Sequence, residues 1–211
     1  MHAPRLYEQF EDLEKQAHAA RFGMWAFLGS ELLLFAGLFA LYAGYRTMYP
    51  VDFAAAITHD NVAIGTGNTV ILITSSFTVA MSLHVVREGR PRSAAALLLL
   101  SIGLGALFLV LKGVEYGQHF HQGIYPGVGF RDAALSSYGA RMFFTLYYLM
   151  TGLHALHVTV GMVILSWLAW GSWRLRYSSA DCTHVEVGAL YWHLIDVIWI
   201  FLWPMLYLMH R

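Results

Sequence analysis

Five ionisable side chains stand inside stretches that are otherwise apolar: Glu31, His154, His157, His193 and Asp196. In lipid such a group costs about 2.5–3.5 kcal/mol or more at a helix centre, so its presence marks a proton, ion or packing site. His154 and His157 are three residues apart, as are His193 and Asp196, and on a helix that spacing puts each pair on one face. Glu31 follows Phe22 by nine residues, about 13 Å of helix, with no Lys or Arg within a turn of it. These five are expected to form one buried polar cluster with a proton-handling or a packing role, in which Glu31 hydrogen-bonds His157. A His-x-x-His pair with a third histidine and an aspartate also has the makings of a metal site. Haem ligation would need facing histidines at matched depth, and the chain offers no repeated pairs of intramembrane histidines for two haems and no adjacent histidines for a buried copper centre. The commoner use of such histidines is to donate to carbonyls or acids and lock helices together. Nucleophilic chemistry has no support: there is no Gly-x-Ser-x-Gly turn, no phosphate-binding Gly-rich loop, and Cys182 is the single cysteine. No catalytic centre and no metal site are expected within this chain alone.

The elements that position these residues follow from composition. Of the 211 residues, 58% are apolar and 12% are charged, whereas a soluble domain carries about 25% charged residues. That deficit excludes a disordered chain and a cytosolic enzyme. The balance of thirteen basic and thirteen acidic residues implies no nucleic-acid partner. A hydrocarbon core needs about 20 mostly apolar residues per helix. Five stretches qualify, at about residues 22–45, 62–86, 94–116, 142–170 and 187–209. The fold expected is therefore all-α, a polytopic membrane bundle of five transmembrane helices. Asn68, Thr69, Thr74, Ser75 and Ser76 interrupt the second span, as small polar residues do where helices meet. The fourth is long enough to tilt. Residues 1–21 form a polar arm whose Glu8, Glu11, Asp12, Glu14 and Lys15 exclude a signal peptide. Leu6, Phe10, Leu13 and Ala17 recur at helical spacing, so the arm reads either as an interfacial helix or as a frayed terminus.

Orientation follows from the basic residues. Arg5, Lys15, Arg21, Arg87, Arg90, Arg92, Arg174 and Arg176 fall on one side, against Arg46, Lys112, Arg131, Arg141 and Arg211 on the other. The amino terminus is thus expected in the cytoplasm and the carboxyl terminus outside. One long outer loop is expected from about Lys112 to Arg141, with Gly117, Gly123, Pro126, Gly127 and Gly129 making turns around His119 and His121. Stripes of small residues should pack helices together: Gly23, Ser30, Gly37 and Gly44 are seven apart, and Asn68, Ser75 and Ser82 repeat the device. Trp167, Trp170 and Trp173 read as interfacial anchors.

Several motifs together resemble subunit III of the haem–copper respiratory oxidases. They are Trp25-Ala-Phe-Leu-Gly-Ser-Glu31 with Phe35-Ala-Gly-Leu-Phe39, then Asn68-Thr69, Ser75-Ser76 and Glu115-Tyr116. The most specific are Thr151-Gly-Leu-His-Ala-Leu-His-Val158 and Tyr191-Trp-His-Leu-Ile-Asp-Val-Ile-Trp199, and the likeness runs from about Phe22 to Met209. The resemblance implies an accessory, non-catalytic subunit in a bacterial inner (cytoplasmic) membrane, with a periplasmic carboxyl terminus. It would lie beside the catalytic haem–copper subunit I and other oxidase subunits, support proton uptake, protect that subunit during turnover and hold phospholipid. Haem and copper would sit in the partners, none in this chain. Carried over, Glu31 is the family's buried carboxylate, and His154, His157, His193 and Asp196 are its polar positions on the last two helices. Arg46, Glu115 and Trp192 match lipid or helix-end polar positions. Ala155 departs from a glycine common there. The chain looks like the short five-helix bacterial form, starting at the equivalent of the third helix, so a lipid cleft would be missing or walled by a neighbour. Relatives accompanying nitric oxide reductases share these features, and the electron donor, cytochrome c or quinol, is left open. From other classes, a haem-binding membrane anchor would bring haem into the chain, and a proton-coupled transporter would use Glu31 and the histidines. Against the transporter, no inverted repeat is evident and Pro204 is the only proline inside a span.

Overall fold

In lipid a backbone must satisfy its own hydrogen bonds, so long apolar runs become helices. The computed structural model describes residues 8–58, 62–125, 137–178 and 182–209. In chain order the helices are α1 (Leu13–Met48), α2 (Pro50–Ile57), α3 (Val62–Arg87), α4 (Pro91–His121), α5 (Tyr138–Trp173) and α6 (Thr183–Tyr207). All but α2 are long and apolar enough to cross a membrane, five in number among the described residues. The protein is an all-α polytopic membrane bundle.

Local chemistry sets the helix ends. Asp12 caps α1, its Oδ1 accepting the Lys15 amide at 2.7 Å. With that cap and no breaker before Phe22, α1 starts at Leu13 and takes in turns expected to belong to a separate arm. Ser137 caps α5 in the same way, its Oγ 3.2 Å from the Ala140 amide. Pro50 and Pro91 open α2 and α4, where a missing N–H costs nothing. Gly89 and Gly123 have φ of 76° and 78° and end α3 and α4. Their amides and those of the next residues bond back to Val86, Val85, Phe120 and His119, the paired bonds of a Schellman end. Leu175 fills the same role after α5 at φ 57°, without a glycine's freedom.

The long outer loop expected from Lys112 is shorter. Helix α4 runs past the expected end of the span near 116 to His121, so Gly117, His119 and His121 are helical together with Lys112 and Glu115. An isolated glycine is tolerated in a helix, and no proline intervenes in this stretch. Arg5, Leu6, Pro126, Gly127, Gly129, Arg131 and Arg211 lie outside the described residues.

The chain forms two compact units, to each of which all five long helices contribute. The first takes α1 up to Glu31, α3 from Leu72, α4 to Gly105, α5 from Val158 and α6 to Asp196. Its centre is Trp192, fully buried, which lies against Gly105 and Gly161. A Cβ at Gly161 would meet the Trp192 ring at 2.8 Å, so the small residue there is a packing requirement. The second unit is built from Leu32–Ile71, Ala106–His157 and Val197–Arg211. Tyr42, Phe53 and Phe143 pack edge to face in its core, with the Tyr42 hydroxyl donating to the Met205 carbonyl at 2.7 Å. The small-residue stripe of α1 does not pack as expected. A Cβ at Gly23, Gly37 or Gly44 would meet nothing within 4 Å. The whole stripe lies on the exposed side of α1, and it is Leu28, Phe35 and Tyr42, also seven apart, that face the core. On α3 the same spacing, Asn68, Ser75 and Ser82, is buried as expected.

Candidate functional site

In the first unit, the polar residues of α3, α4 and α6 interlock. The Trp192 indole donates to Ser75 Oγ at 3.0 Å, and Ser75 Oγ donates to the Leu72 carbonyl at 2.8 Å. Trp192, expected at a lipid or helix-end position, is thus a buried joint between α6 and α3. Ser76 Oγ lies 2.7 Å from His193 Nδ1, and Thr78 and Ser101 join α3 to α4 at 2.7 Å. One turn beyond His193, Asp196 is 4% exposed. Ser76 lies within reach of its carboxyl as a donor, though neither oxygen is in full hydrogen-bond geometry with a partner among the described residues. Glu31 is half-buried and within electrostatic reach of Tyr191. A turn earlier, Phe27 faces the Tyr191 ring at 6.0 Å.

In the second unit, His154 is fully buried, with the rings of Trp199 at 5.2 Å and Phe108 at 5.6 Å. His157 Nδ1 donates to the Leu153 carbonyl at 2.8 Å, and its ring meets Phe35 at 5.4 Å. Of the five residues singled out from sequence, Glu31, His193 and Asp196 belong to the first unit, and His154 and His157 to the second. Arg46 is half-buried in the last turn of α1.

The densest polar site was not anticipated. Lys112, counted as an outer-loop charge, is buried in the second unit beside Glu115, with side chains 5% and 1% exposed. Its ammonium donates to Glu115 Oε2 at 3.2 Å and to the hydroxyls of Tyr147 and Tyr207, each at 2.8 Å. Those hydroxyls donate in turn to Glu115 Oε1, at 2.6 and 2.5 Å. Every ammonium proton and both carboxylate oxygens are engaged. The rings of Tyr147, Tyr116, Trp199 and Tyr207 surround the cation at 4.8–5.5 Å, a cation–π cage. Helices α4, α5 and α6 are joined at one point by an ion pair without net charge. Beside it the hydroxyls of Tyr116 and Thr151 are 2.5 Å apart, and the Trp199 indole donates to Thr69 Oγ1 at 3.0 Å. The signal available in sequence was Lys112 and Glu115 at i, i+3 in an apolar helix. The two tyrosines come from distant positions and gave none.

This arrangement fastens helices and holds charge in paired form. Among the described residues, no three or more His, Cys, Asp or Glu side chains stand together as a metal ion would require. The imidazoles of His157 and His193 are engaged by a carbonyl and a hydroxyl, and that of His154 is enclosed by aromatic rings.

A polytopic bundle with polar locks between its helices defines a class of integral membrane proteins. Within it, residues 13–210 match the family described as cytochrome c oxidase subunit III, and the chain belongs to that family. It is 33% identical over 190 residues to cytochrome c oxidase subunit 3 of Thermostichus vulcanus, covering 90% of this chain and 87% of that one. Against cytochrome c oxidase subunit 3 of Alkalihalophilus pseudofirmus the identity is 32% over 192 residues, covering 89% and 85%. A probable cytochrome c oxidase subunit 3 of Nocardia farcinica is 29% identical over 180 residues, covering 85% and 83%.

Proposed function

We propose that this chain is the accessory, non-catalytic subunit III of a bacterial haem–copper terminal oxidase. It assembles beside the catalytic subunit that holds haem and copper and supports its stability and proton uptake while oxygen is reduced to water. The observation that carries this reading is a family match that extends across all five long helices. The membrane is the bacterial inner membrane, with the amino terminus cytoplasmic, as the distribution of Lys and Arg favours. Bound phospholipid belongs to the same reading.

The chain's own residues support a mechanical contribution. His193 on α6 is tied to Ser76 on α3, and Lys112 and Glu115 to each other and to two tyrosines. Side chains bonded in this way fix helix register, and a fixed register presents a constant surface to a partner. Glu31, His193 and Asp196 in one unit, and His154 and His157 in the other, act on the partner through packing more than through proton transfer, since one glutamate is not a conducting chain.

The test is co-purification. Tagged chain extracted from native membranes in mild detergent should bring down a larger partner with a Soret band and copper. Recovery of the tagged chain alone, without haem, would overturn the reading.

A further inference from the structure

A pocket of about 980 Å³ opens in the first unit, bounded by the first turns of α1, the end of α3, the last turns of α5 and the start of α6. It sits where α1 passes from the charged turns around Glu14 and Arg21 to the apolar run that begins at Phe22, the level of a membrane–water boundary. Met24, Ile164 and Leu168 make an apolar wall. Trp167 and His184 stand in the same lining with ring centroids 5.7 Å apart, so the pocket also presents aromatic surface. The polar wall is built round Glu186, which is reached by Arg21 from α1 and by Arg87 from α3.

That polar wall sets the charge and the hydrogen bonding of an occupant. Arg21 Nη2 lies 3.1 Å and Arg87 Nη2 3.8 Å from Glu186 Oε2. Both contacts fall on one carboxylate oxygen, which leaves Oε1 to accept a further bond. Each guanidinium has five N–H donors, and one carboxylate oxygen does not occupy them. Donors and an acceptor therefore stand side by side. With Glu14 in the same lining, two arginines and two carboxylates leave no net charge. An anionic head would draw the arginines off Glu186 and set its own charge beside that carboxylate; a cationic head would do the reverse. An uncharged hydroxyl fits without either exchange, since it donates one hydrogen bond and accepts two. Its bonds to a carboxylate and from a guanidinium are both charge-assisted. The aromatic surface favours a hydroxyl carried on a ring over an aliphatic alcohol, and the apolar wall takes a hydrocarbon tail.

We propose that this pocket binds the head of a tailed hydroquinone. One hydroxyl donates to Glu186 Oε1 and accepts from Arg21 or Arg87, the ring lies against Trp167 and His184, and the tail runs along Met24 and Leu168. The oxidised quinone has carbonyls alone and cannot donate to Glu186, so the site prefers the reduced form. These side chains bind and orient the head, and no electron transfer is assigned to them. The proposal rests on the reading of the chain as a membrane subunit and adds a ligand that this reading does not contain.

The experiment uses the intact complex in phosphatidylcholine nanodiscs, under argon with ascorbate so that the hydroquinone stays reduced. Two probes carry the same alkyl tail with a diazirine at its end: a benzohydroquinone, and its dimethyl ether, which keeps the ring and tail but has no O–H. Cross-links are read by mass spectrometry on the peptides that hold Met24 and Trp167. The hydroquinone should label them about tenfold more than the ether, the preference expected of one charge-assisted hydrogen bond. Glu186→Ala should bring the two probes level. Ala20→Phe, which fills the pocket without touching a charge, should remove both labels while haem content stays unchanged. Equal labelling by the two probes in the unaltered complex would mean that the pocket takes any apolar molecule and would overturn the proposal. So would a hydroquinone label that an equal amount of added phosphatidylethanolamine or phosphatidylglycerol abolishes, since the site would then belong to phospholipid. If a variant fails to assemble, the two-probe comparison in the unaltered complex decides alone. Loss of the haem–copper partner during purification bears on the proposed function; labelling reports only on the pocket.

Discussion

The Lys112 network makes the sharpest test of what holds the second unit together. Lys112→Met removes a cation whose three protons are accepted by Glu115, Tyr147 and Tyr207. Glu115 is then left 1% exposed, with two tyrosine hydroxyls but no counter-charge. Breaking one side of a buried pair costs about 3–5 kcal/mol, because the remaining charge keeps its desolvation cost without its partner. Replacing both members together carries no such penalty. Lys112→Met with Glu115→Gln leaves a neutral amide whose oxygen still accepts from the tyrosines, and replacements of this kind are often neutral or stabilising. The two changes should therefore be strongly non-additive, with the double variant recovering about 3 kcal/mol of what Lys112→Met loses. The measurement is unfolding by SDS in mixed micelles, followed by helical circular dichroism, for the parent, both single variants and the double variant. If Lys112→Met falls within about 0.5 kcal/mol of the parent, the change behaves as one at an unremarkable surface site, and the network is not a lock. If the double variant loses the sum of the two single losses, the cost is not one of stranded charge and the electrostatic argument fails.

Three further outcomes are expected. Leu175→Gly should raise stability by roughly 0.5–1 kcal/mol in the same titration, since Leu175 is exposed and holds a φ of 57° that glycine adopts freely. Gly161→Ala should cost about 1–3 kcal/mol and shift Trp192 emission, because the new methyl would fall 2.8 Å from that ring; Gly37→Ala, with nothing within 4 Å, is the matched control that should cost nothing. Glu31→Gln should leave the complex assembled and alter oxygen-consumption turnover only modestly; a fall of about a hundredfold, the size of a lost proton-transfer group, would put Glu31 in a proton path instead.

Long apolar runs were sufficient to place the five long helices, because the bilayer thickness sets a length that few other structures require. Boundaries were harder to place, since hydropathy locates lipid and not helix. The apolar run starts at Phe22, but the structure begins α1 at Leu13, where Asp12 caps it. Helix α2 escaped because eight residues are too few for a span and Pro50 reads equally as a turn. Lys112 counts as a charge of the outer side, but a lysine can be buried where a partner meets its cost. Glu115 supplies the partner one turn on, but the hydroxyls of Tyr147 and Tyr207 come from residues 35 and 95 positions away. No local pattern encodes such an encounter. The α1 stripe failed for the opposite reason: its spacing is local and regular, but the close approaches fall on the other helices, at Gly65, Gly105, Gly139, Gly161, Gly171 and Gly188.

Apolar burial gives helices in a bilayer no reason to prefer one neighbour, as lipid tails are equally apolar. Specific contacts must then come from groups that lipid cannot satisfy, and that is where this chain places its polar residues. Trp192 reaches Ser75, Trp199 reaches Thr69, His193 meets Ser76, and Lys112 holds three helices through Glu115 and two tyrosines. Each bond would be stranded in any other register, at a cost of about 1–3 kcal/mol for a neutral group. The same residues cannot easily serve two purposes: a hydroxyl or imidazole that leaves its partner to carry a proton strands that partner in turn. Register and transport therefore compete for one set of side chains, and the bonded state of most of them places this chain on the side of register. Asp196 and His154 are buried with no atom in full hydrogen-bond geometry among the described residues, so they are the least tied of the buried ionisable groups. If this chain affects proton uptake chemically as well as mechanically, size-keeping changes at those two positions, Asp196→Asn and His154→Gln, are the ones that should change turnover more than stability.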